Sequence, residues 1–124
     1  MQTKDQQYAA QAFEQVNQML GESKDARDKY GSMAHRLPVL IRTAGLAQAL
    51  GFIESRGTEA QVQLMRDISV VIGVPEIGRV SRQAKLPGYM KLTRDVMAAL
   101  VWYKRFAASV LNVQADVDGE GAGD

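Results

Sequence analysis

The sequence predicts an all-α fold, a compact single-domain bundle of five to six helices in a chain of 124 residues. Apolar residues recur at helical spacing along most of the chain, and no stretch alternates convincingly at the strand period. Residues that start and stop helices flank the periodic runs.

The first helix starts near Thr3, because Thr3 and Gln6 have capping-box spacing. Tyr8, Ala12, Phe13, Val16, Met19 and Leu20 then repeat along one side, and Gly21 ends the run. A second helix is expected from Ser23 to about Arg36. It is charged early and buries Ala26, Tyr30, Met33 and Leu37. Pro38 interrupts it, since proline is tolerated in the first turn of a helix but not in its interior. A third helix is therefore expected over 38–56. Leu40, Ile41, Leu46, Leu50, Phe52 and Ile53 make it apolar almost all round, which is the pattern of a central helix. Within it, Ala44, Ala47 and Gly51 form a small-residue stripe that another helix can approach closely. Gly57 ends it. Thr58 and Gln61 are a second capping pair, opening a fourth helix through Val62, Met65, Ile68, Ser69 and Ile72 until Gly73 and Pro75 stop it. Residues 74–88 are the least regular and leave room for one short helix. The last helix is expected from Tyr89 to Asn112, with Leu92, Val96, Ala99, Leu100, Tyr103, Ala107 and Val110 as its core stripe. The helical domain thus spans 1–111. Residues 112–124 carry Asp116, Asp118, Glu120 and Asp124 with no base and no aromatic residue, so they read as an acidic disordered tail.

Catalysis is disfavoured residue by residue. No cysteine is present, which excludes disulfides and thiolate metal sites and fits a reducing compartment. His35 is the one histidine and reads as a packing or solvated residue; it has no second His or Cys for a zinc site. Asp25 with Lys29 and Asp95 with Lys91 are ordinary helical surface pairs. Gly45 and Gly51 sit inside a helical pattern and open no phosphate loop. No cofactor, metal or catalytic residue is expected, which leaves only a carboxylate-only or substrate-assisted reaction open. The first residues lack the apolar region of a signal peptide, and no run approaches membrane-spanning length. A cytoplasmic protein with no membrane partner is expected.

The charge is unevenly spread. Setting the tail's acids aside leaves residues 1–111 with 15 bases and 10 acids, a mildly basic body suited to an anionic partner. Three groups of bases stand out: Arg36 and Arg42 around Pro38; Arg79, Arg82 and Lys85 in the irregular segment; Lys91, Arg94, Lys104 and Arg105 on the last helix. Arg94 and Arg105 are eleven residues apart, close to three turns, and share a face. A basic row of this kind suits a phosphate backbone. Periodicity alone favours a solvated face for each group. Tyr103 and Phe106 belong to the core side, whereas Trp102 lies off it and either packs on a neighbouring helix or marks an interface. Met90, Met97, Val101 and Leu111 give the last helix more apolar surface than one core contact uses, which favours assembly.

Two blocks then resemble a known family. The run from Lys29 to Gly57, KYGSMAHRLPVLIRTAGLAQALGFIESRG, and the stretch YMKLTRDVMAALVWYKRFAAS, Tyr89 to Ser109, resemble the small subunit of type III-B CRISPR (Cmr) complexes. The features that carry it are LPxxIxxxGLxQxLxF over Leu37 to Phe52, and an Arg beside an acid followed by Trp, a Lys-Arg pair, Phe and Ala. The resemblance implies a helical, non-catalytic subunit of an RNA-guided effector complex in antiviral defence. It implies stacking on further copies beside a filament of backbone subunits and near the large polymerase-like subunit, facing guide and target RNA. It implies RNA-facing roles for Arg42, Arg94, Lys104 and Arg105. Lys91, Arg36, Arg79, Arg82 and Lys85 rest on charge. Two other readings compete: a helical DNA-binding regulator reading bases from Gln61, Gln63 and Arg66, and a plain protein-protein adaptor.

Overall fold

The structure is a computed structural model describing residues 1–115. Six α-helices follow one another: α1 (Lys4–Gln18), α2 (Lys24–Ala44), α3 (Leu46–Arg56), α4 (Glu59–Ile72), α5 (Ile77–Gln83) and α6 (Leu86–Ser109), with one 3₁₀ turn at Met19–Gly21. No strand occurs among the described residues. Helices α1, α2, α4 and α6 pack together as the core; α3 extends from α2, and α5 lies against α3.

Local chemistry sets the starts of α1 and α4. Both predicted capping boxes form: Thr3 with Gln6 and Thr58 with Gln61 each exchange side-chain and backbone bonds. Gly73 adopts the left-handed conformation at the end of α4, and Val74 N–H donates to Ser69 C=O at 3.0 Å. The core fills with Tyr30, Met33, Leu37, Leu46, Leu50, Ile53, Leu64, Ile68, Leu100 and Tyr103, all fully buried.

The expected break at Pro38 does not occur. Helix α2 runs straight through it to Ala44. An interior proline costs about 3 kcal/mol. Here Tyr30, Met33, Ala34, Leu37 and Ile41, on both sides of the proline, seat in one core, and their packing overrides that cost. The break falls at Gly45, at φ 88° and ψ 158°, a conformation open to glycine and hardly any other residue. Gly45 N–H donates to Ile41 at 2.8 Å and its carbonyl accepts from Ala49 at 3.0 Å, so one residue joins the two helices. Ala44 therefore ends α2 instead of continuing a stripe with Ala47 and Gly51. What approaches there is Tyr89, whose hydroxyl accepts the Ala47 N–H at 3.0 Å. Phe52 stays exposed while Leu46, Ala49, Leu50 and Ile53 are buried, so α3 is buried on one side and not all round.

Two further differences concern register. Helix α6 begins at Leu86, before the expected Tyr89, because Pro87 suits a first turn. The buried side of α4 is Ala60, Gln61, Leu64, Asp67, Ile68 and Val71, while the anticipated Val62, Met65 and Ile72 are half-buried. The chain also stays packed past residue 111. Asn112 takes a left-handed turn, Val113 N–H donates to Ala107 C=O at 2.9 Å, and Val113 is buried. The His35 ring, through Nε2–H, donates to the Val113 carbonyl at 2.8 Å. Gly31 makes room: a Cβ there would lie 2.7 Å from the Val113 Cβ. The tail's acids, at 116–124, lie outside the described residues.

Candidate nucleic-acid interface

Helix α6 presents its core stripe to the bundle and turns its opposite side out. At about 100° per residue, Arg94 and Arg105 point directly away from the stripe, with Lys91 beside them. Lys104 sits on the flank nearer α2. Trp102 and Phe106 sit on the flank facing α1. Trp102 Nε1–H donates to Asp5 Oδ1 at 2.9 Å, its ring stacks on Phe106 with centroids 5.9 Å apart, and Phe106 meets Phe13 edge-on at 5.4 Å. Of the two expectations for Trp102, packing on a neighbouring helix is the one the structure shows. The Arg105 guanidinium lies over the Trp102 ring, 5.5 Å from its centroid. That contact steadies the arginine without neutralising it.

Carboxylates divide the candidate bases. Lys91 bonds Asp95 at 2.7 Å. Arg79 bonds Glu76 at 3.0 Å and Arg82 bonds Glu54 at 2.6 Å. Exposed pairs of this kind hold weakly, yet each cancels the local charge a phosphate would meet. Arg36, Arg42, Lys85, Arg94, Lys104 and Arg105 have no ion-pair partner among the described residues. Arg36 and Arg42 do not act together: six residues apart on α2, they point about 120° apart. Arg36 is half-buried and Arg42 exposed. Arg56, exposed in the last turn of α3 and likewise unpaired among the described residues, was not singled out by the sequence, which offers only one isolated base there.

A buried polar network ties four helices together. Tyr30 O–H donates to Asp67 Oδ2 at 2.7 Å and Gln63 donates to Asp67 Oδ1 at 2.8 Å. Gln15 donates to the Asp67 carbonyl at 3.2 Å and accepts from the Tyr103 hydroxyl. Burial pushes the Asp67 carboxyl above its usual range, opposed by the bonds from Tyr30 and Gln63 and by nearby Arg66. Burial and the Asp67 charge together keep both tyrosines protonated. A cleft of about 410 Å³ beside this network is lined by Gln15, Gln18, Glu22, Glu59, Gln63 and Asp67, with no base. Periodicity marked Tyr30 and Tyr103 only as core and gave no sign that a carboxylate completes them.

The same contacts remove the side chains a base-reading helix would need. Gln61 is buried in its capping box, Gln63 faces Asp67, and Arg66 bonds Gln63 at 3.3 Å and Glu59 at 3.6 Å. Among the described residues no three His, Cys, Asp or Glu side chains gather to hold a metal, and no helix is long and apolar enough to cross a membrane.

Residues 4–110 match the family model described as CRISPR-associated protein (Cas_Cmr5). The chain is 42% identical over 114 residues to the CRISPR system Cmr subunit Cmr5 of Thermus thermophilus, covering 90% of this chain and 98% of that protein. The fold matches the crystal structure of a CRISPR-associated Cmr5 family protein from Thermus thermophilus with a TM-score of 0.83 and 42% identity, covering 90% of this chain and 99% of that one.

Proposed function

The chain belongs to the CRISPR-associated Cmr5 family, and from that premise we propose that it is the non-catalytic small subunit of a cytoplasmic type III-B RNA-guided effector complex. Its partners are the backbone subunits, the large polymerase-like subunit, further copies of itself, and the guide and target RNA. In this reading cleavage belongs to the neighbouring subunits, and this chain holds the RNA backbone through bases. One observation carries the reading: Arg94, Lys104 and Arg105 on α6 are exposed and have no carboxylate partner among the described residues, and neither does Arg42 on α2. Phosphate contacts of this kind position a strand without reading its sequence. Lys91, Arg79 and Arg82, each already paired, contribute less. Arg36 and Lys85 stand apart from the α6 face and serve as secondary contacts. Met90 at 51% and Val101 at 46% exposure lie among the free bases of α6 and give a neighbouring subunit apolar area to cover.

The test is charge reversal in the assembled complex. Arg94→Glu with Arg105→Glu should leave folding intact, because both side chains are exposed. It should weaken retention of target RNA and flatten the salt dependence by about two in slope, roughly one per lost phosphate contact. Unchanged retention would leave the arginines as a solvated face.

A further inference from the structure

Val62 and Met65 carry apolar surface that the core leaves half-covered. With Arg66 and Ser69 they stand at i, i+3, i+4 and i+7, on one strip of α4. That strip borders a cleft of about 470 Å³, and Glu54 of α3 with Glu76, Arg79 and Arg82 at α5 line it from the other side. Three guanidiniums thus share one cleft with an apolar floor. The backbone around it is special at two places. Glu76 is left-handed at φ 54°, where glycine fits better than any residue with a Cβ. What glutamate adds there is a carboxylate that accepts from Arg79 Nε–H at 3.0 Å. Gly78 leaves room for the Glu54 carboxylate, which a Cβ would overlap, and Glu54 accepts from Arg82 at 2.6 Å. Each carboxylate takes one edge of an arginine. A guanidinium has five N–H donors, and among the described residues Arg82 bonds Glu54 alone while Arg79 bonds Glu76 and Gln83. Arg66 is held only by contacts of 3.3 Å to Gln63 and 3.6 Å to Glu59.

We propose that this cleft docks an acidic segment of a neighbouring subunit, with one apolar side chain seated on Val62 and Met65 and its flanking carboxylates on Arg66, Arg79 and Arg82. Charge complementarity selects the occupant. Three bases against two acids leave the cleft positive, and a guanidinium fork can take a carboxylate two bonds at a time. The present pairs are exposed and single, so an arriving carboxylate displaces little. An RNA backbone fits worse. Glu54 and Glu76 would stand against its phosphates, and the described lining offers no aromatic ring for a base to stack on. An apolar anchor inside a charged rim is how protein interfaces are built. Only the source of the segment rests on the effector-complex reading; the chemistry of the cleft does not.

The full chain is titrated with the capped peptide Asp-Asp-Leu-Asp-Asp, up to about 5 mM, and followed by amide resonances. Those of Val62, Met65, Ser69, Arg79 and Arg82 should shift. Replacing the peptide's Leu by Gly should weaken binding about tenfold, since no apolar side chain is then buried. Met65→Gln, which removes part of the floor and keeps every base, should weaken it too. Unshifted resonances, equal binding of the Gly peptide, or equal binding by Met65→Gln overturns the docking. Should Met65→Gln fail to fold, the Gly peptide on the parent chain decides alone. Oligouridine that shifts the same resonances equally in parent and Met65→Gln assigns the cleft to phosphate and overturns the docking as well. In a second arm, Met65→Gln should lower the share of affinity-purified complexes that contain this chain by about threefold or more. An equal share overturns a neighbouring subunit as the source of the segment. If the parent chain copurifies with no other Cmr subunit, the effector-complex reading fails, while the peptide still decides the cleft.

Discussion

Replacing Tyr30 by Phe isolates one buried hydrogen bond. The ring is fully buried and stays in place, while the donor 2.7 Å from Asp67 Oδ2 is lost. A bond to a charged group is worth about 1.5–3 kcal/mol. The expected loss is about 2 kcal/mol at pH 7, or about 8 °C in Tm for a domain of this size. The loss also depends on pH. Burial already raises the Asp67 pKa above 3.8, and the Tyr30 bond opposes that rise. Without the bond the folded pKa climbs further above the unfolded one. For an acid shifted upward, the folded state is favoured when protonated. Stability is therefore regained as pH falls through the raised folded pKa, and lost as pH rises through it. Urea unfolding of parent and Tyr30→Phe by far-UV circular dichroism, at pH 7 and in steps down to pH 4, reads the difference. It should be largest at pH 7 and shrink on acidification. A difference under about 0.5 kcal/mol, or one constant across pH, would refute the role given to this bond.

Gly45→Ala forces a side chain into φ 88° and brings its Cβ to 3.3 Å from the Tyr89 hydroxyl. It should cost about 1–3 kcal/mol in thermal unfolding, whereas Gly51→Ala, with open space around it, should not destabilise. Gly31→Ala should expel Val113 from α2, costing about 1–3 kcal/mol by overpacking and speeding amide exchange at Val113.

Helix identity was legible because it rests on local chemistry. Thr3 with Gln6, Thr58 with Gln61, and Gly73 each act within a turn of the chain. What escaped depended on distant neighbours. Pro38 reads as a breaker until the core on both of its sides is known. Gly45 reads as helical until its φ is seen. Nothing in the sequence marks Asp67 as buried, and one of its two side-chain donors, Tyr30, lies thirty-seven residues away. The α6 bases were found by spacing, since Arg94 and Arg105 share a face whatever the fold. Which bases stay free was not legible: Lys91 and Asp95 pair within one helix and were foreseen, but Arg82 meets Glu54 across two helices. Val113 joined the fold through His35 and Gly31, residues whose spacing carried no sign of a C-terminal contact.

The central claim is that this chain works inside an RNA-guided assembly. Native mass spectrometry of the affinity-purified endogenous protein, with any bound RNA sequenced, tests it most directly. The account predicts a complex holding other Cmr subunits, more than one copy of this chain, and short guide RNAs. Recovery of the chain alone, or with partners that bring neither Cmr subunits nor guide RNA, would contradict it.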